Sequence, residues 1–507
     1  MYRRVEIPNR KTRPMSELLA DWCNGEEVGS LAYVRQSPYR FIRTKAIQAG
    51  NALSQFKGDA VGHITQWAYH NAAAKNPNRA VHDGDIIYAR AGNVGEVAIA
   101  EGCGQAIPSG HMLKIVLREK KWYVFAFMKH DICKLQQRTQ QVGAIKALDN
   151  FKIEQLLTCE VPFPDQPDAE RVERYVSALM EAIVDKERAI RDRNDAILKT
   201  IADELAAGQS KAAFSYAFPA LSEVCDRARF DAAIYSHEYK SKMWLITNYA
   251  RGCRTPTGAG FTIKPGPSLE IKILRTRIDS ETPKPGFYTL LIPANISEYG
   301  TMSKVMWLGT TKQLPLLRQG DILFGEAGFG KGRTIVLVDG MDRATTNAHG
   351  LYARRTDSNL AESIFFRCIF HWYRSMRLID LMAVGGSGGH FSPEYFDSLL
   401  IPRFPAALKD QIVKLYHSPA PGAAKPPNLI GFVAYHQARN DSLGIWELDY
   451  EMKALQSELA AVQELIIQGK MVKVPLPDMT TEAIAHKVAE QPVRADAQRR
   501  RAAQPER

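Results

Sequence analysis

GDILFGEAGFGKGRTIVLVDG, Gly320–Gly340, is the stretch on which the reading of this chain turns. From Gly325 it runs G-x-x-x-x-G-K-G, one residue away from a phosphate-binding loop. Such a loop needs a Ser or Thr after the lysine to hold magnesium, and a helix whose N-terminus faces the phosphates. Gly332 stands at the hydroxyl position, although Thr334 lies two residues on. The RTIVLVDG that follows is a β-branched run closed by Asp-Gly, the pattern of a strand and a turn. Strand, glycine turn, strand predicts a hairpin, with no helix dipole aimed at an anion. Nucleotide hydrolysis is therefore set aside.

A second copy supports the hairpin. GDIIYARAGNVGEVAIAEG, Gly84–Gly102, has the same strand start, the same Ala-Gly turn and the same returning apolar run, but no lysine at the turn. Other matches follow in order. IPSGHMLKI pairs His111 with His349 of TTNAHGLYA. FKIEQLLTCEVPFP pairs Phe151 with Phe391, and Pro162 with Pro402, of FSPEYFDSLLIPRFP. Upstream, FIRTKAI faces TLLIPANI, which sets Ile47 against Ile296. Conserved order at nearly constant separation predicts two diverged copies of one module; the unit is far longer than a solenoid repeat.

Each copy trails a helical pattern. Val172, Val176, Leu179, Ile183, Ile190 and Ile197 alternate at three and four residues, interrupted by Lys186 and Arg193. This predicts a helix from Asp168 to Gly208, about 40 residues and roughly 60 Å long. After the second copy a short amphipathic piece, Ala406–His417, meets the Pro-rich SPAPGAAKPPN. The stripe then resumes at Leu448, Met452, Leu455, Leu459, Val462 and Ile466, up to Gly469. Both stripes read as too narrow for a buried helix. Each wants a partner, either the other helix in a coiled coil or its own domain.

Composition sets the bounds. The 507 residues are enough for two or three domains, and 45% hydrophobic with 24% charged residues is ordinary for a globular protein. No apolar run reaches membrane-spanning length, and the basic start MYRRVEIPNRKTRP lacks the apolar segment of a signal peptide. The seven cysteines form no C-x-x-C pair, which points to reduced thiols in a cytoplasmic protein and no zinc site. The tail beginning DMTTEAIAHKV has few large apolar side chains and reads as disordered. Net charge is +11. Between Cys225 and Pro285 eleven Lys and Arg stand against six acids, with Tyr235, Tyr239, Trp244, Tyr249 and Phe261 interleaved. That mixture suits a polyanion, and equally a solvated basic face.

Chemistry is harder to find. There is no H-E-x-x-H, no histidine pair at ligand spacing beside a carboxylate, and no Gly-rich loop opening a βαβ unit for S-adenosylmethionine. The Asn/Asp-Pro-Pro-aromatic tetrapeptide of adenine methyltransferases is absent, since KPPNL at Lys425–Leu429 lacks the flanking residues. No catalytic residue and no metal site is expected. Binding is the better class.

The duplicated GDIIYARAGNVGEVAI and GDILFGEAGFGKGRTIVL, with GAIKALDNFKIEQLLTCEVPFP and GGSGGHFSPEYFDSLLIPRFP, resemble the specificity subunit of Type I restriction-modification systems, from about Tyr39 to Gly469. The resemblance implies a mixed α/β chain. Two similar target-recognition domains, 1–166 and 209–405, would be separated and joined by two long antiparallel helices, 167–208 and an interrupted 406–470. The helices would form a coiled coil in a pseudo-twofold internal repeat, and 471–507 would be a disordered tail. It implies double-stranded DNA read as a bipartite target, two docked DNA methyltransferase subunits and often a motor-nuclease subunit. No cofactor is expected on this chain, S-adenosylmethionine and ATP belonging to the partners. The family's Glu-Glu-Gln after the proline is here DQPDAER in one copy and AALKDQI in the other.

Phosphate contacts position a protein on DNA and base-edge contacts specify sequence. The residues expected at phosphates are Arg40, Arg43 and Lys45 in the first copy, and Arg251, Arg254, Arg275 and Arg277 in the second. For base edges the expectation falls on turns that repeat in place but differ in side chain. These are Arg90 and Asn93 against Glu326 and Lys331, Ser109 and His111 against Asn347 and His349, and Lys146 against Ser387 and His390. The glycines of these turns (Gly92, Gly328, Gly385, Gly386) are expected to serve positive φ only. A stand-alone two-module regulator, or an enzyme with an unrecognised site, stays open as the competing class.

Overall fold

The computed structural model describes residues 5–47, 52–53, 61–91, 94–139, 153–210, 213–227, 229–328, 331–385, 389–420 and 426–478. Asn93, Lys146, Ser387, Gly92, Gly386, Phe151 and the tail after Asp478 lie outside them, as does the side chain of Lys45. The chain divides into two compact units. Unit 1 holds 1–189, 421–441 and 450–507; unit 2 holds 190–420 and 442–449.

Unit 1 carries strands β1 (Thr12–Pro14), β2 (Leu19–Asn24), β3 (Tyr33–Val34), β4 (Arg40–Ile42), β5 (Ala52–Leu53), β6 (Val61–Ile64), β7 (Ile86–Ala89), β8 (Val97–Ala100), β9 (Ala106–Pro108), β10 (Met112–Leu117) and β11 (Glu160–Pro162). Unit 2 carries β12 (Cys253–Arg254), β13 (Phe261–Pro265), β14 (Ile278–Ser280), β15 (Tyr288–Leu290), β16 (Met306–Gly309), β17 (Ile322–Gly325), β18 (Thr334–Val336), β19 (Ala344–Thr345), β20 (Gly350–Arg355) and β21 (Ile401–Pro402). The helices that frame them are α1 (Lys121–Lys129), α2 (Ala169–Ala207), α3 (Leu360–Ser375), α4 (Ala406–Tyr416), α5 (Phe432–Asn440) and α6 (Ile445–Ile467).

The strand orders of the units match over four strands of each sheet, and β5 is an extra edge strand of unit 1. Unit 1 has β2-β10-β7-β8-β5, and unit 2 has β13-β20-β17-β18. A second sheet is β3-β6-β4-β9 in one and β14-β16-β15-β19 in the other, with β4·β9 and β15·β19 the parallel pairs. A small ladder closes each unit, β1 with β11 and β12 with β21.

Both GDI stretches form the expected antiparallel hairpins, β7–β8 and β17–β18. Their four-residue starting strands are fully buried because both faces are covered. In unit 1, Ile86 and Tyr88 face the cluster built on α1 and α2, while Ile87 and Ala89 face a second cluster with Ile42, Ala98 and Met112. Covered faces remove the polar alternation that an exposed sheet would show. The Gly-Asp itself is a turn device. Gly84 (φ +94°) and Gly320 (φ +83°) take the left-handed conformation. The following carboxylate accepts from a backbone N–H three residues earlier, His82 to Asp85 at 2.8 Å and Arg318 to Asp321 at 2.7 Å. Each buried carboxylate also meets a cation of the neighbouring strand, Lys114 at 3.1 Å and Arg354 at 2.6 Å.

The helix expected over Asp168–Gly208 runs Ala169–Ala207. Gly208 ends it without the left-handed backbone usual for a glycine at a helix end. A Cβ there would lie 2.3 Å from the Tyr249 ring. The narrow-stripe reading also needs correction. In unit 1, Ala178, Met180, Ala182 and Val184 are buried along with Val172, Val176, Leu179 and Ile183. One cluster joins them to Tyr123–Met128 of α1, Phe432 of α5, and Leu455, Leu459, Val462 and Ile466 of α6. So α2 meets both its own sheet and the later helices. The α2–α6 pairing is antiparallel: Tyr175 donates to Glu458, and Lys186 lies 2.8 Å from Glu451. Beyond residue 189, Ile190, Ile197, Ile201 and Leu205 are buried in unit 2, where Asn194 bonds His371 of α3 at 2.8 Å. The Pro-rich break leads to an additional helix, α5, which the stripe did not announce.

The end of the described chain is packed. Val472, Val474 and Leu476 are buried in the unit 1 core, so no tail begins at residue 471. Asn9 ties three distant segments by donating from Nδ2 to the carbonyls of Phe163 and Ile466, each at 2.7 Å. Among the described residues no helix is long and apolar enough to cross a membrane.

Candidate nucleic-acid interface

The hairpin tips and the turns beside them carry most of the expected base-edge residues. In unit 1, Arg90 directly follows β7, and its backbone N–H donates to the carbonyl of His111 at 3.0 Å. In unit 2, Glu326 directly follows β17 and donates to the carbonyl of His349 at 3.2 Å. The facing turns close identically: Met112 N–H to Ser109 O at 2.8 Å, and Gly350 N–H to Asn347 O at 2.9 Å. A third segment presses on each turn. A Cβ at Gly25 would lie 2.0 Å from the carbonyl oxygen of Ser109, and one at Gly266 would lie 2.1 Å from that of Asn347. The pairing of Ser109 with Asn347, and of His111 with His349, is thus repeated by the backbone.

The side chains differ. Arg90 Nη1 donates to Asn24 Oδ1 at 2.6 Å, and its Nε is buried with no hydrogen-bond partner. Glu326 is partly exposed, 3.5 Å from Nδ1 of an exposed His349. Ser109 is buried and His111 exposed. Asn347 is half-buried, its Oδ1 without a partner, and His390 is exposed. Val384 and His390 exchange backbone bonds at 2.9 and 2.7 Å, and Phe391 N–H donates to Glu326 O at 2.8 Å, which ties these residues to the unit 2 tip. Gly328 (φ +60°) and Gly385 (φ +93°) take the positive φ expected of them.

Lys331 does not project from the tip. Its ammonium pairs with Asp380 at 3.0 Å, with only 14% of the side chain exposed. A Cβ on Gly389 would come within 3.6 Å of that nitrogen, so lysine and loop are packed together. Its placement is that of a strut between hairpin and loop.

The basic residues sort by what already holds them. Arg254 lies 2.5 Å from Glu362, which also pairs with Lys409 at 2.5 Å. Burial pushes the Glu362 carboxyl up, but Lys409 and Arg254 together hold it below the usual range. Arg277 is bound to Asp279 at 3.1 Å and to the Leu269 carbonyl at 2.8 Å. Arg251 and Arg275 are exposed, Arg275 with φ +59° at the end of a short turn. Arg40 is half-buried in β4. Arg43 stacks over the Tyr33 ring at 4.8 Å.

Sequence reasoning missed Asn24, which orients Arg90, and Tyr33, which orients Arg43. The signal for Tyr33 was present: YVRQSPYRFIR, Tyr33–Arg43, interleaves aromatics and arginines as the basic stretch of the second copy does. Asn24 meets Arg90 only through the fold. Among the described residues no group of His, Cys, Asp and Glu could hold a metal, and none of the seven cysteines is in a disulfide.

Fold and site together define a chain of two units that share a strand order over four strands of each sheet, each offering polar side chains at a hairpin tip. No protein-family model matches the sequence, and no curated protein matches it. Three solved structures to which the chain is similar come from Type I restriction-modification systems. One is the Type I restriction-modification system S subunit from M. genitalium, at 14% identity over 95% of this chain and 100% of that one, with a TM-score of 0.43. Another comes from a study of complex assembly and conformational transition of the type I R-M system, at 14% identity over 92% and 100%, TM-score 0.26. A third is the HsdS subunit from Thermoanaerobacter tengcongensis, at 12% identity over 91% and 97%, TM-score 0.25.

Proposed function

We propose that this chain is the DNA sequence-recognition subunit of a Type I-like restriction-modification or related defence complex, without catalytic activity of its own. Residues 1–166 and 209–405 are the two readers, related as a pseudo-twofold repeat. Residues 167–208 and 406–470 form the antiparallel coiled-coil frame on which two methyltransferase subunits, and in some complexes a motor-nuclease subunit, dock. S-adenosylmethionine and ATP are handled by those partners.

One observation carries the reading. Two hairpin tips share a backbone hydrogen-bond frame yet present different side chains, Arg90 in one and Glu326 in the other. A structural duplication alone has no need to vary its tips, whereas a reader of two unlike half-sites does. In support, the net charge of +11 suits a polyanion, and Arg251 and Arg275 are exposed in the second copy. Arg40, Arg43, Lys45, Arg251 and Arg275 are assigned to phosphates. Arg90, Asn93, Ser109, His111, Lys146, Asn347, His349, Ser387 and His390 are assigned to the base-facing surface. Arg254, Arg277 and Lys331 approach DNA while supporting the fold.

The test is to tag the full-length chain in its host, purify it and map methylated bases in the genome with and without its gene. The expected result is a co-purifying methyltransferase, no methylation by the chain alone, and loss of one bipartite methylated motif on deletion. A chain that binds one DNA site tightly without partners, and whose deletion leaves every methylated motif in place, is a regulator, and the proposal fails.

A further inference from the structure

Resting on that DNA-reading assignment, we infer that the two readers have opposite hydrogen-bond polarity at one equivalent position: Arg90 selects a guanine in its half-site and Glu326 selects a cytosine in the other. Both residues stand one place beyond the last residue of the same strand, Ala89 in β7 and Gly325 in β17. Those residues are themselves paired with equivalent partners, Ala89 with Met112 and Gly325 with Gly350. The N–H of each tip residue is fixed to the carbonyl of the facing histidine, so the two side chains leave the backbone from the same place in each unit. What differs is the chemistry of the side chains and of their neighbours.

A guanidinium carries five N–H donors and no acceptor, and a carboxylate carries acceptors only. The guanidinium matches guanine, whose major-groove edge offers O6 and N7; the carboxylate matches the N4 amino group of cytosine. Arg90 is aimed before any ligand arrives, since Asn24 takes one end of its fork while the buried Nε has no partner. The equivalent of Asn24 at the end of the matching strand β13 is Pro265, which offers no such amide. Glu326 is instead partly exposed beside His349. A carboxylate at a DNA-facing tip is repelled by every phosphate. A base amino group offsets that repulsion and a base carbonyl adds to it, which makes Glu326 the sharper of the two discriminators.

The experiment presents a duplex library, randomised across both half-sites, to the full-length chain with whatever subunits co-purify, and sequences the bound fraction. Arg90→Ala and Glu326→Gln are compared with wild type at one salt concentration, with thermal melting to confirm folding. Wild type is expected to fix one guanine in one half and one cytosine in the other. Arg90→Ala removes the first preference, about ten- to a hundredfold, and leaves the second half untouched. Glu326→Gln moves the second preference from cytosine toward adenine, because an amide side chain pairs with adenine N6 and N7. If both variants keep the wild-type base preferences, or weaken all sequences equally, the inference is overturned while the recognition-subunit reading stands. If wild type selects no sequence at all, that reading falls first.

Discussion

Two glycines show how much of the candidate surface is set by single atoms. Gly25 and Gly266 exist because the carbonyl of Ser109 or Asn347 occupies the place of a Cβ, at 2.0 and 2.1 Å. Real Cβ contacts do not come this close, so Ala at either position forces the turn away. Gly25→Ala and Gly266→Ala should each cost on the order of 1–3 kcal/mol, read as a lowered midpoint in urea. The first should erode selection in one half-site only, the second in the other; equal losses in both halves would contradict separate readers. Cations divide on a similar basis. Arg251 is exposed, whereas Arg254 is fastened to Glu362. Removing a phosphate contact lowers the salt dependence of binding by about one charge equivalent. Arg251→Ala should therefore flatten the plot of log affinity against log salt by about one unit with no change in melting. Arg254→Ala should lower melting instead, since it leaves a half-buried carboxylate with Lys409 alone. If Arg254→Ala alters only the salt slope, its structural assignment is wrong.

At the scale of elements, the packing of α5 and α6 on α2 makes a prediction about acid. Lys186, whose side chain is fully buried, donates to Asn440 and Glu451 at 2.8 Å each, and Arg439 reaches the same carboxylate at 2.5 Å. His436 sits beside this network, its ring 4.6 Å from that of Phe432 and its Nδ1 without a hydrogen-bond partner. Burial, and secondarily the Lys186 charge, press its pKa down to about 4. The unfolded chain then binds a proton on this histidine between about pH 6.5 and 4 that the folded chain refuses. Stability from this group is full above the unfolded value and is lost as pH falls through the folded one. The loss should be on the order of 2–3 kcal/mol. His436→Gln should flatten the pH dependence of melting across that window. The steeper loss below about pH 4.5, from Glu447 and Glu451, whose carboxyls are held below their usual range, should remain. An unchanged slope between pH 6.5 and 4.5 would refute the buried neutral histidine. These elements also mark where the sequence stopped being legible. The hairpins were readable because Gly84, Asp85, Gly320 and Asp321 act within their own turn. The width of the buried face of α2 was not, because α1 and α6 cover it from 40 and more than 250 residues away in the chain. Helix α5 gave no stripe since, of its buried residues Phe432, His436 and Asn440, only the first is apolar. The partner of Lys331 was illegible for a similar reason: Asp380 is brought to it by the fold.

Across the whole molecule the chain order is not the order of the units. Unit 1 begins at the N-terminus, but the last stretch of the described chain completes it. Leu455, Leu459, Val462, Ile466, Ile467, Val472, Val474 and Leu476 all enter the core that also holds Val172–Val184. Burying one such side chain contributes roughly 1.5–3 kcal/mol, so their sum is at least comparable with the ~5–15 kcal/mol by which a domain is ordinarily stable. Deleting them also strips Asn9 of two acceptors, the carbonyls of Ile466 and Ile467. Unit 2 needs none of them. Its only share of the returning chain is Ser442–Asp449, where Trp446 Nε1 donates to Asp339 at 3.1 Å and Asp449 accepts from Thr301 at 2.9 Å. A stop codon after Asp449 therefore leaves unit 2 whole and unit 1 open. The truncated chain should show one cooperative melting transition in place of two. Limited proteolysis should digest the N-terminal half first. In the randomised-duplex selection, the half-site governed by Glu326 should survive while the one governed by Arg90 disappears, although every residue of 1–166 is still present. A truncated chain that melts as the intact one does and still selects both half-sites would show that the first reader folds without the returning helix, and the closure of unit 1 by its C-terminal segment would be wrong.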